Sequence, residues 1–324
     1  MSDRSERNRA PRNRTLTVTD AERSLYGEKV YRPAPDSALT PEIILGKTIN
    51  GDFLELAPRL PGKFADLAIL DPPYNLTKNF HGNTFTETTP ERYALMADAW
   101  FSALKPILKD EASVYVCCDW QSSPAIYASL SRHFTVRNRI TWQREKGRGA
   151  KSNWKNCSED VWFATAGNAW TFNVDAVKLR RKVLAPYRAD GRPKDWEESD
   201  GGRYRLTHPS NFWDDISIPY WSMPENTDHP TQKPEKLIAR LILASSNPGD
   251  VVFDPFLGSG TTSVTAKKLG RLWCGTEING EYCVWAEKRL ARADGEKTIQ
   301  GYAHGVFWER NTRIPANPAE SEPR

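Results

Sequence analysis

Val251-Val252-Phe253-Asp254-Pro255-Phe256-Leu257-Gly258-Ser259-Gly260-Thr261-Thr262 passes from a short apolar run through a glycine-bearing turn into a stretch of helical character. That order predicts a buried strand, a tight turn and a helix, the connection of a parallel α/β sheet whose ligands bind beyond the carboxyl ends of its strands. Gly258 and Gly260 permit positive φ and close backbone approach. Asp254 closes the strand, where a carboxylate can face a cationic amino group, and the helix N-terminus beyond favours a ligand carboxylate. A zwitterionic amino-acid moiety satisfies both ends. The spacing departs from GxGxxG, so a dinucleotide fits less well. Glu277, at the tip of the next expected strand (Leu272–Thr276), stands where the vicinal hydroxyls of a ribose would lie.

Outward from this stretch the same rhythm repeats. Ala65–Leu70, Ala112–Cys118, Ile140–Trp142 and Val161–Ala164 read as buried strands. Arg92–Leu108, Leu237–Ser246, Thr261–Leu269 and Glu281–Ala293 have helical spacing. Alternating strands and helices predict an α/β fold with a doubly wound, mostly parallel sheet. Residues 144–228 break the rhythm, being rich in Arg, Lys, Trp, Pro and Gly, and read as an inserted irregular region within a domain spanning 37–310. Residues 1–36, with Arg4, Arg7, Arg9, Arg12 and Arg14, read as a flexible basic arm, and 311–324 as a second loose tail.

A second strand, Ala65–Leu70, ends abruptly in Asp71-Pro72-Pro73-Tyr74. The prolines stiffen the turn and leave carbonyls free to accept hydrogen bonds, beside a carboxylate and an aromatic ring. An exocyclic base amine is a poor nucleophile because its lone pair is delocalised. Acceptors on both N–H bonds, from Asp71 and the Pro72 carbonyl, would favour the tetrahedral form with the lone pair freed. Tyr74 can stack on a base taken out of a duplex. Orientation and in-line approach, rather than a tuned general base, are what such a site must supply.

The bulk numbers fit a soluble enzyme of ordinary composition: 324 residues, 39% hydrophobic and 27% charged, with a formal net charge of +4. No apolar run approaches the ~20 residues of a membrane span. Five cysteines without CxxC spacing predict free thiols in a reducing cytoplasm and no structural metal.

In these residues the chain resembles the permuted β class of DNA amino-methyltransferases, in which a DPPY motif precedes the recognition region and the cofactor motif follows it. The resemblance spans roughly 43–292 and rests on several motifs in order: Asp71-Pro72-Pro73-Tyr74-Asn75, His229-Pro230-Thr231-Gln232-Lys233-Pro234, Asp254 through Thr262, and Asn50-Gly51-Asp52. It implies a Rossmann-like fold and transfer of a methyl group from S-adenosyl-L-methionine to adenine N6 in duplex DNA. It implies catalysis by Asp71, Pro72, Pro73 and Tyr74. Cofactor contacts are implied from Asp52, Asp71, Thr231, Lys233, Asp254, Pro255, Phe256, Gly258, Ser259, Gly260, Thr261 and Glu277. Cytosine N4 is the close alternative, since the same acceptors serve either amine; Asp at the first motif position tilts toward adenine.

Within the insert, Arg144, Lys146, Arg148, Lys151 and Lys155 crowd one stretch, and Arg180 and Arg181 head another, so these are the expected DNA contacts. Further expectations are a homodimer, a cognate restriction endonuclease and a bacterial cytoplasmic setting. A DNA-binding relative without catalysis would have been expected to lose one of Asp71, Tyr74, Asp254 or Glu277. A nicotinamide oxidoreductase is disfavoured by the glycine spacing and by DPPY.

Overall fold

Period-two alternation in the central strands sends successive side chains to opposite faces, and both faces are apolar, so helices must cover both. The computed structural model describes residues 11–80, 83–144, 151–184, 187–190, 192–199, 202–312 and 314. In chain order the main elements are α1 (Asp20–Gly27), β1 (Lys47–Asn50), α2 (Phe53–Leu56), β2 (Ala65–Leu70), α3 (Pro90–Leu104), β3 (Leu108–Cys118), α4 (Ser123–His133), β4 (Thr135–Gln143), β5 (Ser158–Thr165), β6 (Phe212–Trp213), α5 (Glu235–Ser245), β7 (Val251–Asp254), α6 (Thr261–Lys268), β8 (Leu272–Glu277) and α7 (Gly280–Arg292). The eight strands form one sheet in the order β1-β8-β7-β2-β3-β5-β4-β6. All neighbours are parallel except β5, which runs antiparallel to both β3 and β4.

Ala68, Leu70, Val114 and Phe253 face one core with Phe101 and Leu104 of α3. Leu67, Ile69, Tyr115 and Val252 face the other, with Leu237 and Leu241 of α5, Val264 of α6 and Leu290 of α7. This is the doubly wound sheet expected. The helix anticipated over 92–108 runs instead from Pro90, capped by the Thr89 hydroxyl, to Leu104; Pro106 ends it, and Leu108 already opens β3. No helix among the described residues is long and apolar enough to cross a membrane.

Three expectations need correction. The arm assigned to 1–36 is ordered over much of its length. Thr19 and Glu22 form a reciprocal capping box at the start of α1, and Lys288 of α7 donates to Glu22 at 2.5 Å. Leu16 is buried and bridges Thr227. Residues 1–10 lie outside the described residues.

The 144–228 insert contains β5, which belongs to the main sheet. It also contains β6 of that sheet, and part of the remainder is regular: strands 197–199, 202–207 and 179–182 join 306–308 and 302–303, in that order, in a second five-stranded sheet. The domain's own C-terminal strands thus complete the insert. Of the tail, 313 and 315–324 lie outside the described residues.

Candidate active site

The strand order turns back on itself where β7, late in the chain, lies beside β2. Their register pairs Val252 with Leu67 and Phe253 with Ala68, so Asp254 and Asp71 leave neighbouring strand tips at the same sheet edge. Together with the tip of β8 they wall a cavity of about 440 Å³. The two motifs that the sequence separates by almost two hundred positions meet there.

On the β7 side, Gly258 and Gly260 adopt φ of +54° and +83°. A Cβ on Gly260 would stand 2.6 Å from that of Ala286, so this glycine lets α6 and α7 pack together. Gly258 lies under the His229 ring, its virtual Cβ 3.2 Å from Nε2, so the 229–234 segment covers the turn. The Phe256 N–H donates to Asp254 at 2.9 Å, and the Thr276 hydroxyl to the Pro255 carbonyl at 2.7 Å. Arg289 donates to the Ser259 carbonyl at 2.9 Å and to the Thr261 hydroxyl at 3.0 Å, bracing the loop from behind.

Glu277 accepts from the Gly258 N–H at 2.8 Å and the Asn279 N–H at 2.7 Å. Asp52 accepts from the Leu54 N–H at 2.8 Å as N-cap of α2, and also lines the cavity. Thr231 lines it too. Burial lifts the Asp254 carboxyl to about 7 and pushes Glu277 upward. Among the described residues neither has an ion-pair partner. A cationic amino group over Asp254, a ribose at Glu277 and backbone N–H groups near the glycine turn therefore suit S-adenosylmethionine, the group expected from the sequence.

On the β2 side, the Tyr93 hydroxyl donates to the Pro73 carbonyl at 2.9 Å. Asn75 clasps Thr88 through both its amide and carbonyl groups at 2.8 Å. The turn is thus held rigid, with Asp71 a quarter exposed toward the cavity. Lys233 donates to both Asp71 oxygens (2.7 and 2.8 Å) and to the Tyr74 hydroxyl (3.0 Å), and lies 3.3 Å from Glu159. Burial weakens the lysine's hold on its proton, but Asp71 and Glu159 outweigh it and the pKa rises. Burial likewise raises Glu159, which Lys233 and Arg144 more than reverse, leaving it below the usual carboxylate range. Tyr74 is pushed well up by burial, then by Asp71 and Glu159.

Lys233, expected at the cofactor, instead holds the Asp71 carboxylate and also lines the cavity. Arg144, expected on DNA, lines the cavity and pairs with Glu159. Lys151 and Lys155 are exposed beside Trp154, which is 95% exposed; Lys146 and Arg148 lie outside the described residues. Arg180 is corrected as a DNA contact: it is 8% exposed and sandwiched between the Tyr204 and Trp308 rings of the second sheet. Arg181 is engaged by Asp214 and Glu309. Glu159, Tyr93 and Arg289 were not anticipated. Each touches the motifs only through tertiary contact; the one local sign is the acidic pair Glu159-Asp160 at the start of the otherwise largely apolar β5.

Comparison with known proteins agrees with this geometry. Residues 65–288 match a family described as DNA methylase. The DNA adenine methyltransferase YhdJ of Escherichia coli K12 is 36% identical over 252 residues, 75% of this chain and 81% of that protein. The type II methyltransferase M.HpaI of Haemophilus parainfluenzae is 33% identical over 247 residues, 75% of this chain and 74% of its own. The solved PvuII DNA methyltransferase, cytosine-N4-specific, shares the fold with a TM-score of 0.56 at 18% identity, over 78% of this chain and 92% of its own. From the strand that carries Asp71 to the helix that follows Glu277, this chain belongs to the DNA methylase family.

Proposed function

We propose that this DNA methyltransferase modifies N6 of adenine in duplex DNA, with the target base turned out of the helix into the cavity between Asp71 and Asp254. The observation that carries the reading is the pairing of β7 with β2, which opens the Asp254 turn and the Asp71 turn onto one cavity. S-adenosyl-L-methionine, when bound, supplies a methyl group already activated on a sulfonium. Asp254 would hold its amino group, Glu277 its ribose and Asp52 its adenine, while Thr231 and the 255–261 loop would enclose the methionine end.

Asp71 accepts from one N–H of the base amine and the Pro72 carbonyl from the other. Tyr74 offers its ring to the base face. Fixed acceptors that lower the cost of pyramidalising the amine are the enzyme's contribution, together with alignment.

Asp at the first motif position, and 36% identity to a protein named an adenine methyltransferase, favour adenine over cytosine N4. The proposal includes Arg144, Lys151 and Lys155 as DNA contacts; Lys146 and Arg148 lie outside the described residues. It also includes the bacterial cytoplasm, a homodimer, and an endonuclease partner of the same specificity, which likeness to a type II methyltransferase supports. Purified protein incubated with unmodified genomic DNA, followed by nucleoside mass spectrometry and modification-sensitive sequencing, tests it. N6-methyladenine in one sequence context is expected; N4-methylcytosine would establish the alternative, and no modification would overturn both.

A further inference from the structure

Two carboxylates compete for one set of donors at the catalytic turn. An ammonium has three protons to give. Lys233 divides them among Asp71, the Tyr74 hydroxyl and Glu159. The Tyr74 hydroxyl has a single proton and two acceptors at equal distance, Asp71 Oδ1 and Glu159 Oε2, each 3.1 Å away.

Asp71 opens to the cavity, whereas Glu159 is 3% exposed and is not among the cavity's lining residues. Glu159 therefore stands behind Asp71 and Tyr74, off the cavity wall. Arg144 pairs with its other oxygen, so the buried charge is compensated and stays ionised.

We propose that Glu159 is a positioning residue for methyl transfer: by drawing the Tyr74 proton and part of Lys233 toward itself, it leaves Asp71 a lone pair for the base amine. The inference rests on the role given to Asp71 above. With Glu159 neutral, both donors turn to Asp71, their other carboxylate partner among the described residues, and occupy the lone pairs that the amine needs. With Lys233 also replaced, only the Tyr74 proton is left to contest, and the charge at 159 matters less.

The test uses the full chain, S-adenosylmethionine and a duplex carrying the methylated sequence. Single-turnover rate, cofactor Kd, DNA Kd and Tm are measured for the wild type, Glu159→Gln, Lys233→Met and the double variant. Glu159→Gln is expected to slow the single-turnover step by about tenfold or more while both Kd values stay within about twofold. Glu159→Gln is expected to cost several-fold less in the Lys233→Met background than in the wild type.

A Glu159→Gln rate within about twofold of wild type, a rate loss matched by lost affinity, or additive losses in the double variant overturns the proposal. Should Glu159→Gln not fold, Glu159→Asp, which shortens the reach to Lys233 and keeps the charge, is expected to slow the same step with affinities unaltered. An unchanged rate there overturns it equally. A wild-type protein inactive on every DNA would sink the functional reading itself. An active wild type with an indifferent Glu159→Gln sinks only this inference.

Discussion

Lys233 Nζ lies 2.7 and 2.8 Å from the two oxygens of Asp71, across 162 residues of chain, and so joins the segment covering the Gly258 turn to the Asp71–Tyr74 turn. Asp71→Ala removes the acceptor but leaves Lys233 paired with Glu159. Methyl transfer is expected to fall at least about 100-fold, with S-adenosylmethionine affinity changed less than about threefold. Single-turnover kinetics beside calorimetric titration check this. Near-normal turnover would remove Asp71 from its assigned role.

Tyr74 contributes a ring and a hydroxyl that are separable. Tyr74→Phe keeps the ring and loses the bonds to Asp71 and Glu159. Tyr74→Ala loses both, and is expected to be slower than Tyr74→Phe by about tenfold, the equivalent of one stacked base at ~1–3 kcal/mol. Equal losses in the two variants would rule out stacking.

Asp254 provides a pH-dependent test. A carboxyl that titrates near ~4 unfolded and about 7 folded binds its proton more tightly in the folded state. That stabilisation is complete below the unfolded pKa and is lost as pH rises through 7. Asp254→Asn is therefore expected to raise the Tm of the ligand-free protein at pH 8 by on the order of 2–4 °C, by less at pH 5, and hardly at all at about pH 4. Wild-type cofactor affinity should strengthen several-fold from pH 6 to pH 7.5, and that of the variant should be weak and flat over the same interval. A Tm difference independent of pH, by scanning calorimetry, would contradict the assignment.

What could be read from the sequence was what is written locally. Asp71–Tyr74 and Asp254–Gly260 each stand at the end of an apolar strand, and in a parallel sheet the strand end is the site. Glu159 could not be read so: it stands beside an apolar strand core, and only the fold brings Lys233 and Arg144 to it. Arg180 read as a DNA contact because the rings that bury it, Tyr204 and Trp308, come from distant segments. The order in α1 was legible and overlooked, since Thr19-x-x-Glu22 is a capping box.

Gly260 allows a structural prediction. Gly260→Ala must hold a side chain at φ +83° and push against Ala286. A loss of about 3 kcal/mol or more is expected by chemical denaturation, with weakened cofactor binding. Unaltered stability would show that α6 and α7 can move apart freely.

The second sheet is fastened through buried charge. Asp215 accepts from Arg240 at 2.7 and 3.0 Å and pairs with Lys236 at 2.7 Å, while Arg240 lies against the Trp213 and Phe307 rings. These cations hold the Asp215 carboxyl at about 2 against burial, which would raise it. Asp215→Ala would strand both cations and is expected to cost about 3–5 kcal/mol. A loss under about 1 kcal/mol would mean that water reaches the pair.

Val306–Trp308 runs parallel to Leu179–Lys182 in the second sheet, with Tyr302–Ala303 beyond it. During translation, therefore, the catalytic sheet has all eight of its strands well before the segment that completes its neighbour leaves the ribosome. A nascent chain halted near residue 300 would carry both active-site turns and an unfilled sheet edge, which exposes it to wrong pairing until the last strands arrive.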